Sequence, residues 1–539
     1  MRWSLAGHLP AHVVWPISVT AYIRRLGVPG RAGWRGPGGT AYGVVGGRFG
    51  IVFAKFFGES LMLVAGVDSS TQSTKVVLCE AESGSVVATA SAPHPDGTEC
   101  DPGYWWQALG QAGKGLLDQA AAVGVAAQQH GMVALDEAGH VIRPAILWND
   151  MRAAPQTREL IAELGGPAEW ARRTGSVPPV SFTVTKLRWM AEREPESARR
   201  LHRVVLPHDW LTWRLGSGRP GTESTAEGEP VTDRGDASGT GYFSPADGQW
   251  LPDIAERALG RPVGTPRLAG PAEVVGRTPD GAVLSAGTGD NMGAALGLGI
   301  TEGDVVVSIG TSGTAYAMTS TPAADVTGAV AGFADATGKF LPLVATVNAA
   351  RVLTVTARLL GTDASGLSDL ALAAEPGAGG LTLLPYLDGE RSPNRPDATG
   401  VLNGITSTNL TPENMARAAV EAVLCSLADG IGNLADCGIT PERVVLIGGA
   451  ARSPAVRSIA PAIFGVPVTV PDPAEYVAIG AARQAAWALS QSAGAGTDGP
   501  PDWPGPPAET FTAHPRPDIR DRYATLRDET AAWHERNAT

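Results

Sequence analysis

Two stretches of this chain follow one plan: LVAGVDSSTQSTKVVLC (63–79) and DVVVSIGTSGTAYAMTS (304–320). Each is an apolar strand, a tight turn of glycine or small hydroxyl residues, and a returning apolar strand. The β-branched residues Val64, Val67, Val76 and Val77 mark the first pair as extended, with Ser69 to Thr74 as the hairpin between them. The copies lie roughly 240 residues apart, so the chain is expected to hold two similar domains facing one another, with a ligand cleft between them. A turn this rich in backbone amides and hydroxyls can hold phosphate oxygens, and Asp68 at the strand end can hold a hydrated Mg²⁺ beside them. The same residues also suit an ordinary hairpin in which Asp68 caps the turn.

Length and charge narrow the class. A chain of 539 residues exceeds what one core organises. Its net charge of −12 argues against a nucleic-acid partner, which needs a basic face. No apolar run approaches the roughly 20 residues that span a bilayer, so a soluble protein without a membrane partner is expected. Cys79, Cys100, Cys425 and Cys437 lack C-x-x-C spacing, which fits a reducing cytoplasm better than a disulfide or zinc framework. Residues 1–61 carry Arg2, Arg24, Arg25, Arg31, Arg35, Arg48 and Lys55 against one acid, Glu59, with much glycine and no amphipathic period. They read as a poorly ordered non-core extension, with Met62 as the natural start and a basic arm as the alternative.

Along the remaining chain, GSVVATASA (84–92) is a third strand and DPGYWWQALGQAGKGLLDQAA (101–121) a helix. Three strands then a helix is not the alternation of a Rossmann domain. The next strand ends at Gln129-His130-Gly131. Helices are expected at 154–164, 184–194 and 204–216, and a loop at 217–229. VLSAGTGDNMGAALGLG (283–299) is a strand, a glycine turn and a small-residue helix opening on Asp290-Asn291. The strongest helix signal is 411–438, with Thr411 as N-cap and Pro412 in the first turn. RVVLIGGAARSPAVRSIAPAIFG (443–465) is a buried strand, a Gly448-Gly449 turn and a helix, an anion or nucleotide site in form. Residues 473–489 form another small-residue helix, 491–516 read as a Pro- and Gly-rich linker, and 517–535 as a final exposed helix.

Neither a dinucleotide fingerprint nor a phosphate loop of the G-x-x-x-x-G-K type is present, and no H-E-x-x-H metal motif occurs. What stands out is Asp68 with its hydroxyl hairpin, His130, the pair Asp290-Asn291, and the glycine turns at 310–313, 448–449 and 480. Phosphoryl transfer from ATP to a hydroxyl needs a carboxylate to take the proton, Mg²⁺ to bridge phosphate charge, and donors around the transferred group. Asp290 at a strand-to-helix turn suits the base, and it equally suits a plain N-cap. His130 beside Gln129 could read a polyol, or be a hydrogen-bonded loop histidine.

Taken together, VDSSTQSTK (67–75), DPGYWW (101–106), QQHG (128–131), RPAILWNDMR (143–152), GTGDN (287–291), SIGTSG (308–313), LPYLDGERSPN (384–394) and LIGGAARS (446–453) resemble the FGGY family of carbohydrate kinases over about 62 to 489. The resemblance implies an α/β fold of two actin-like, ribonuclease-H-like ATPase domains around a cleft. It assigns 62–300 to sugar and phosphate, 301–490 to the nucleotide, and 491–539 to a linker and C-terminal helix. By it, ATP with Mg²⁺ phosphorylates a small sugar, and a homodimer is suggested. Asp290 would be the proton acceptor, and Gln129, His130, Asp290 and Asn291 would touch the sugar. Asp68 would organise the metal, with Thr71, Ser73 and Lys75 near the phosphates. Gly310, Thr311, Gly448, Gly449 and Ser453 would line the nucleotide. QQHG and GTGDN favour D-xylulose. Three departures leave ribulose, a hexulose or a glycerol-like polyol as alternatives: Ser70 for a usual glycine, Gln129 for a usual methionine, and Arg351 at a usually small position. A non-kinase actin-like ATPase is the further alternative.

Overall fold

A near-continuous apolar run with Val64 and Val67 makes Leu63–Ser69 a strand that is buried along nearly its whole length, as befits the centre of a sheet. The computed structural model describes residues 61–222 and 226–537. The expectations for residues 1–60, and for 223–225 within the loop, lie outside the described residues.

Leu63–Ser69, Ser73–Glu80 and Val86–Pro93 form an antiparallel meander. Ala122–Ala127 joins Leu63–Ser69 in parallel, Val283–Ser285 follows in parallel, and antiparallel Val274–Arg277 closes the edge of a 7-stranded sheet. The second half repeats this order. Phe340–Thr346, Gly313–Ala317 and Asp304–Ile309 are the meander, with Ala331–Ala334 beyond it. Arg443–Ile447 and Val468–Pro471 then add in parallel, and Ala508–Phe511 closes antiparallel. An antiparallel meander continued by parallel strands is the ribonuclease-H-like topology expected of each half. Parallel partners need long crossovers, and the intervening helices supply them.

One helix of the second half packs on the first. Tyr476–Ser492 lies against Leu63–Ser69, Ala122–Ala127 and the helix Asp290–Leu298. Its backbone comes so close that a Cβ on Gly480 would sit 1.9 Å from the Gly293 carbonyl oxygen, and one on Gly66 would sit 1.8 Å from that of Ala478. Alanines at 478, 481, 482 and 485, all fully buried, fill the seam between these close approaches. Small residues are required because two backbones, not two side chains, meet there.

Several expectations need correction. The helix from Asp101 stops at Ala112, because Gly113, Gly115 and a short 3₁₀ turn break the ladder. The segment 491–516 is no free linker: it contains the edge strand Ala508–Phe511, and Trp503 is buried with its indole N–H on the Ala81 carbonyl at 3.0 Å. Pro517–Glu529 is not an exposed helix, since Ile519, Tyr523 and Leu526 join the second core, and Ala531–Asn537 follows it. Pro412–Asp436, capped by Thr411, is long and apolar enough to cross a membrane, against the expectation that nothing is. With 78 % of its apolar window buried, it is the central core helix of the second half.

Candidate active site

The end of strand Leu63–Ser69 carries Asp68 into a nearly closed environment, 3 % exposed. One carboxylate oxygen, Oδ2, lies 3.7 Å from Lys75 Nζ, while Oδ1 is buried without a hydrogen-bond partner. Asp68 therefore does not cap the turn, which closes instead through Ser70 N–H to the Ser73 carbonyl at 3.0 Å. Loss of water raises its pKa to about 6, although Lys75 pulls the other way. Lys75 itself donates to Glu475 at 2.7 Å, at the start of the helix from the second half. Thr71 Oγ1 accepts from the Trp148 indole at 2.9 Å, which ties the hairpin to the LWNDMR segment.

Beside this hairpin, Asn291 bridges two predicted sugar contacts. Its side-chain amide donates to Gln129 Oε1 at 3.1 Å and to Asp290 Oδ1 at 2.8 Å, and its backbone N–H also reaches Asp290 Oδ1 at 2.8 Å. Gln129 Nε2 is buried with no partner. The N-cap is Gly289, so Asp290 is the first helical residue and not the cap. The Asp290 side chain keeps some contact with solvent, yet its carboxyl is enclosed by protein. Burial, reinforced by the negative charges of Asp68 and Asp236, lifts its pKa to about 7.

His130 follows Gln129 with a positive φ of 68°. Its Nδ1 lies 3.0 Å from the Gly239 carbonyl, which can only accept, so Nδ1 carries the proton and Nε2 is left as an acceptor. Burial, with Lys186 nearby, lowers its pKa to about 3 and keeps the ring neutral. Phe182 and Phe333 flank it at 4.9 and 5.9 Å.

The glycine turn before Asp290 is held from behind. Gln484, on the helix Tyr476–Ser492, accepts from Gly287 N–H at 2.9 Å and donates to the Gly287 carbonyl at 3.0 Å. Thr288 donates to Asp233 at 2.9 Å. Below lies His208, 2.7 Å from Asp236 and 3.2 Å from Asp209. Burial disfavours its charge, yet the three carboxylates of Asp209, Asp236 and Asp233 raise its pKa to about 9.

On the second sheet, the Gly310 carbonyl accepts from Ala350 N–H at 2.9 Å and Thr311 is exposed at the turn. Gly448, at φ 93°, lies so close that a Cβ would be 2.7 Å from the Ile309 carbonyl. The 310 and 448 turns are therefore side by side. As expected, the strand Arg443–Ile447 is followed by a turn at Gly448-Gly449 and then a helix. A 3₁₀ turn, Gly449–Arg452, intervenes and Ser453 caps the helix Pro454–Phe464. The Ser73 carbonyl accepts from the Ser70 hydroxyl at 3.0 Å. Arg351, the departure from family pattern, pairs with Asp388 at 2.7 Å on a solvent-facing surface.

Asp233, Asp236, His208, Gln484 and Glu475 were not among the expected site residues. Each sits in an ordinary helix or loop, and its partner lies from 28 residues (His208 to Asp236) to 400 residues (Glu475 to Lys75) away, so no local spacing marks it.

Family models for the N-terminal and C-terminal domains of the FGGY family of carbohydrate kinases match residues 63–299 and 305–489. The chain is 46% identical over 445 residues to xylulose kinase of Streptomyces coelicolor, covering 79% of this chain and 88% of that one. It is 45% identical over 445 residues to xylulose kinase of Streptomyces rubiginosus, with the same coverage. Among solved structures, xylulose kinase from Bifidobacterium adolescentis superposes with a TM-score of 0.80 at 42% identity, covering 87% of this chain and all of the other. The two sheets thus form the two-domain, actin-like fold of these enzymes. The chain belongs to the FGGY family of carbohydrate kinases.

Proposed function

We propose that the chain transfers the γ-phosphoryl of ATP to the 5-hydroxyl of D-xylulose, with Asp290 as the proton acceptor. The observation that carries this reading is the Gln129–Asn291–Asp290 bridge: a carboxylate with a raised proton affinity, tied by hydrogen bonds to polar side chains suited to a polyol. The unpartnered Gln129 Nε2 is a donor, and His130 Nε2 an acceptor, for sugar oxygens. The Streptomyces relatives supply the sugar by their names, at an identity high enough to favour a shared substrate.

The partnerless Oδ1 of Asp68 fits a hydrated Mg²⁺, since this ion takes one or two carboxylates plus phosphate and water. Among the described residues no group of three or more His, Cys, Asp and Glu is arranged to hold a metal, so the remaining ligands would be water and ATP. Bound there, Mg²⁺ supplies neutralisation of phosphate charge. Thr71, Ser73 and Lys75 would meet the phosphates, for which Lys75 must leave Glu475. Gly310, Thr311, Gly448, Gly449 and Ser453 would border the nucleotide. In-line attack by the sugar hydroxyl then delivers its proton to Asp290.

Two results are expected. Coupled ADP release over ketopentoses, pentitols, glycerol and gluconate should rank D-xylulose first by kcat/KM. A higher rank for another polyol removes the sugar assignment, and turnover indifferent to every sugar removes the kinase reading. The second result concerns pH. A base must be ionised to work, and the raised pKa of Asp290 near 7 means that kcat/KM should climb as pH rises through about 7 and level off above it. A profile flat from about pH 6 to 8 would contradict the assignment.

A further inference from the structure

His130 is one of two non-glycine residues with positive φ among the described residues. That conformation is uncommon for a residue with a side chain, though histidine enters it more readily than most, and it persists where the surroundings hold it. Here the surroundings are specific. The His130 carbonyl accepts from Lys186 Nζ at 2.5 Å and from the Thr183 hydroxyl at 3.3 Å. Lys186 comes from the helix Thr183–Arg193, is 1 % exposed, and makes its other hydrogen bond to the Ser181 carbonyl at 2.6 Å. It has no carboxylate in contact among the described residues; Asp150 acts on it only at longer range, and burial lowers its pKa to about 7. An ammonium buried against carbonyls alone is costly to desolvate, and what it returns is a donor for two buried carbonyls, those of His130 and Ser181.

The backbone geometry supplies the purpose. In a continuing strand Gln129 and His130 would point to opposite faces. The left-handed turn at His130 breaks that alternation and lets two consecutive side chains serve one ligand.

We propose that Lys186 is a positioning residue for sugar recognition. By holding the His130 carbonyl it keeps the left-handed turn in place, and so presents the imidazole Nε2 to a sugar hydroxyl alongside Gln129. This rests on the sugar-site reading above.

Steady-state kinetics with D-xylulose on the full chain test it, using Lys186→Met, His130→Asn and the double variant. Lys186→Met is expected to raise the sugar KM about tenfold, with kcat within about threefold and the KM for ATP unchanged. Asparagine tolerates the left-handed backbone but lacks the imidazole, so His130→Asn should raise the sugar KM by itself. Adding Lys186→Met to it should then change that KM by less than about twofold. Full additivity, or a folded Lys186→Met with normal sugar KM, overturns the proposal. An unchanged sugar KM in His130→Asn overturns instead the sugar-site reading beneath it. Should Lys186→Met not fold, Thr183→Val removes the second donor to the same carbonyl. It is expected to raise the sugar KM about threefold in the wild-type background and not in His130→Asn, and equal effects in both backgrounds overturn the proposal.

Discussion

Replacing Asp290 by asparagine is expected to lower kcat about 10³-fold while leaving the sugar KM within about threefold. Asparagine keeps the shape of the side chain and an oxygen for the two Asn291 donors at 2.8 Å, so the bridge to Gln129 should persist. What it loses is the capacity to take a proton. The fold should not suffer. The raised pKa of Asp290 shows that its charged form is disfavoured by burial and by Asp68 and Asp236, so removing that charge should leave the melting temperature at pH 8 unchanged or higher. Coupled ADP release with D-xylulose and a thermal melt on the same preparation check both halves. Near-normal turnover in Asp290→Asn would sink the base assignment, and a large drop in melting temperature would mean that Asp290 serves the fold first.

The second large effect lies in the helix seam. Gly480→Ala is expected to destabilise the protein by about 3 kcal/mol, the upper end for overpacking a tight core. The added methyl would meet the Gly293 carbonyl oxygen at 1.9 Å and the Gly297 nitrogen at 2.9 Å, and backbone cannot swing aside as a side chain can. The two helices must then separate. One of them opens on Asp290, and the other carries Gln484, which clamps the Gly287 peptide, and Glu475, which pairs with Lys75. Activity should therefore fall even at temperatures where the variant is folded. Urea unfolding followed by fluorescence reads the stability, and an unchanged midpoint would show that the seam yields more easily than its geometry implies.

Much of this was legible in the chain. The duplicated strand–turn–strand units predicted two similar sheets, because short apolar runs bounded by glycine and hydroxyl turns are local signals. The places of Asp68 and Asp290-Asn291 were legible too, at a strand end and a strand-to-helix turn, whereas Gln129 was singled out through the family resemblance and lies in the turn after Ala122–Ala127. The Pro- and Gly-rich stretch around Trp503 misled, since composition of that kind marks a lack of regular structure but not a lack of packing. The 3₁₀ turn between Gly448 and the cap at Ser453 was not legible, because its hydrogen bonding differs from that of a helix entrance by one residue of spacing.

The sequence by itself determined the duplicated strand–turn–strand units and the carboxylate at the strand-to-helix turn, which rest on interactions between residues close in the chain. Only the tertiary structure decided how that carboxylate is tuned and held. Burial and the charges of Asp68 and Asp236 set its proton affinity, Gln484 fixes its turn from nearly two hundred residues away, and Glu475 engages Lys75 from four hundred. Desolvation and Coulomb energy depend on distance through space and on exclusion of water, and neither quantity is written in sequence spacing.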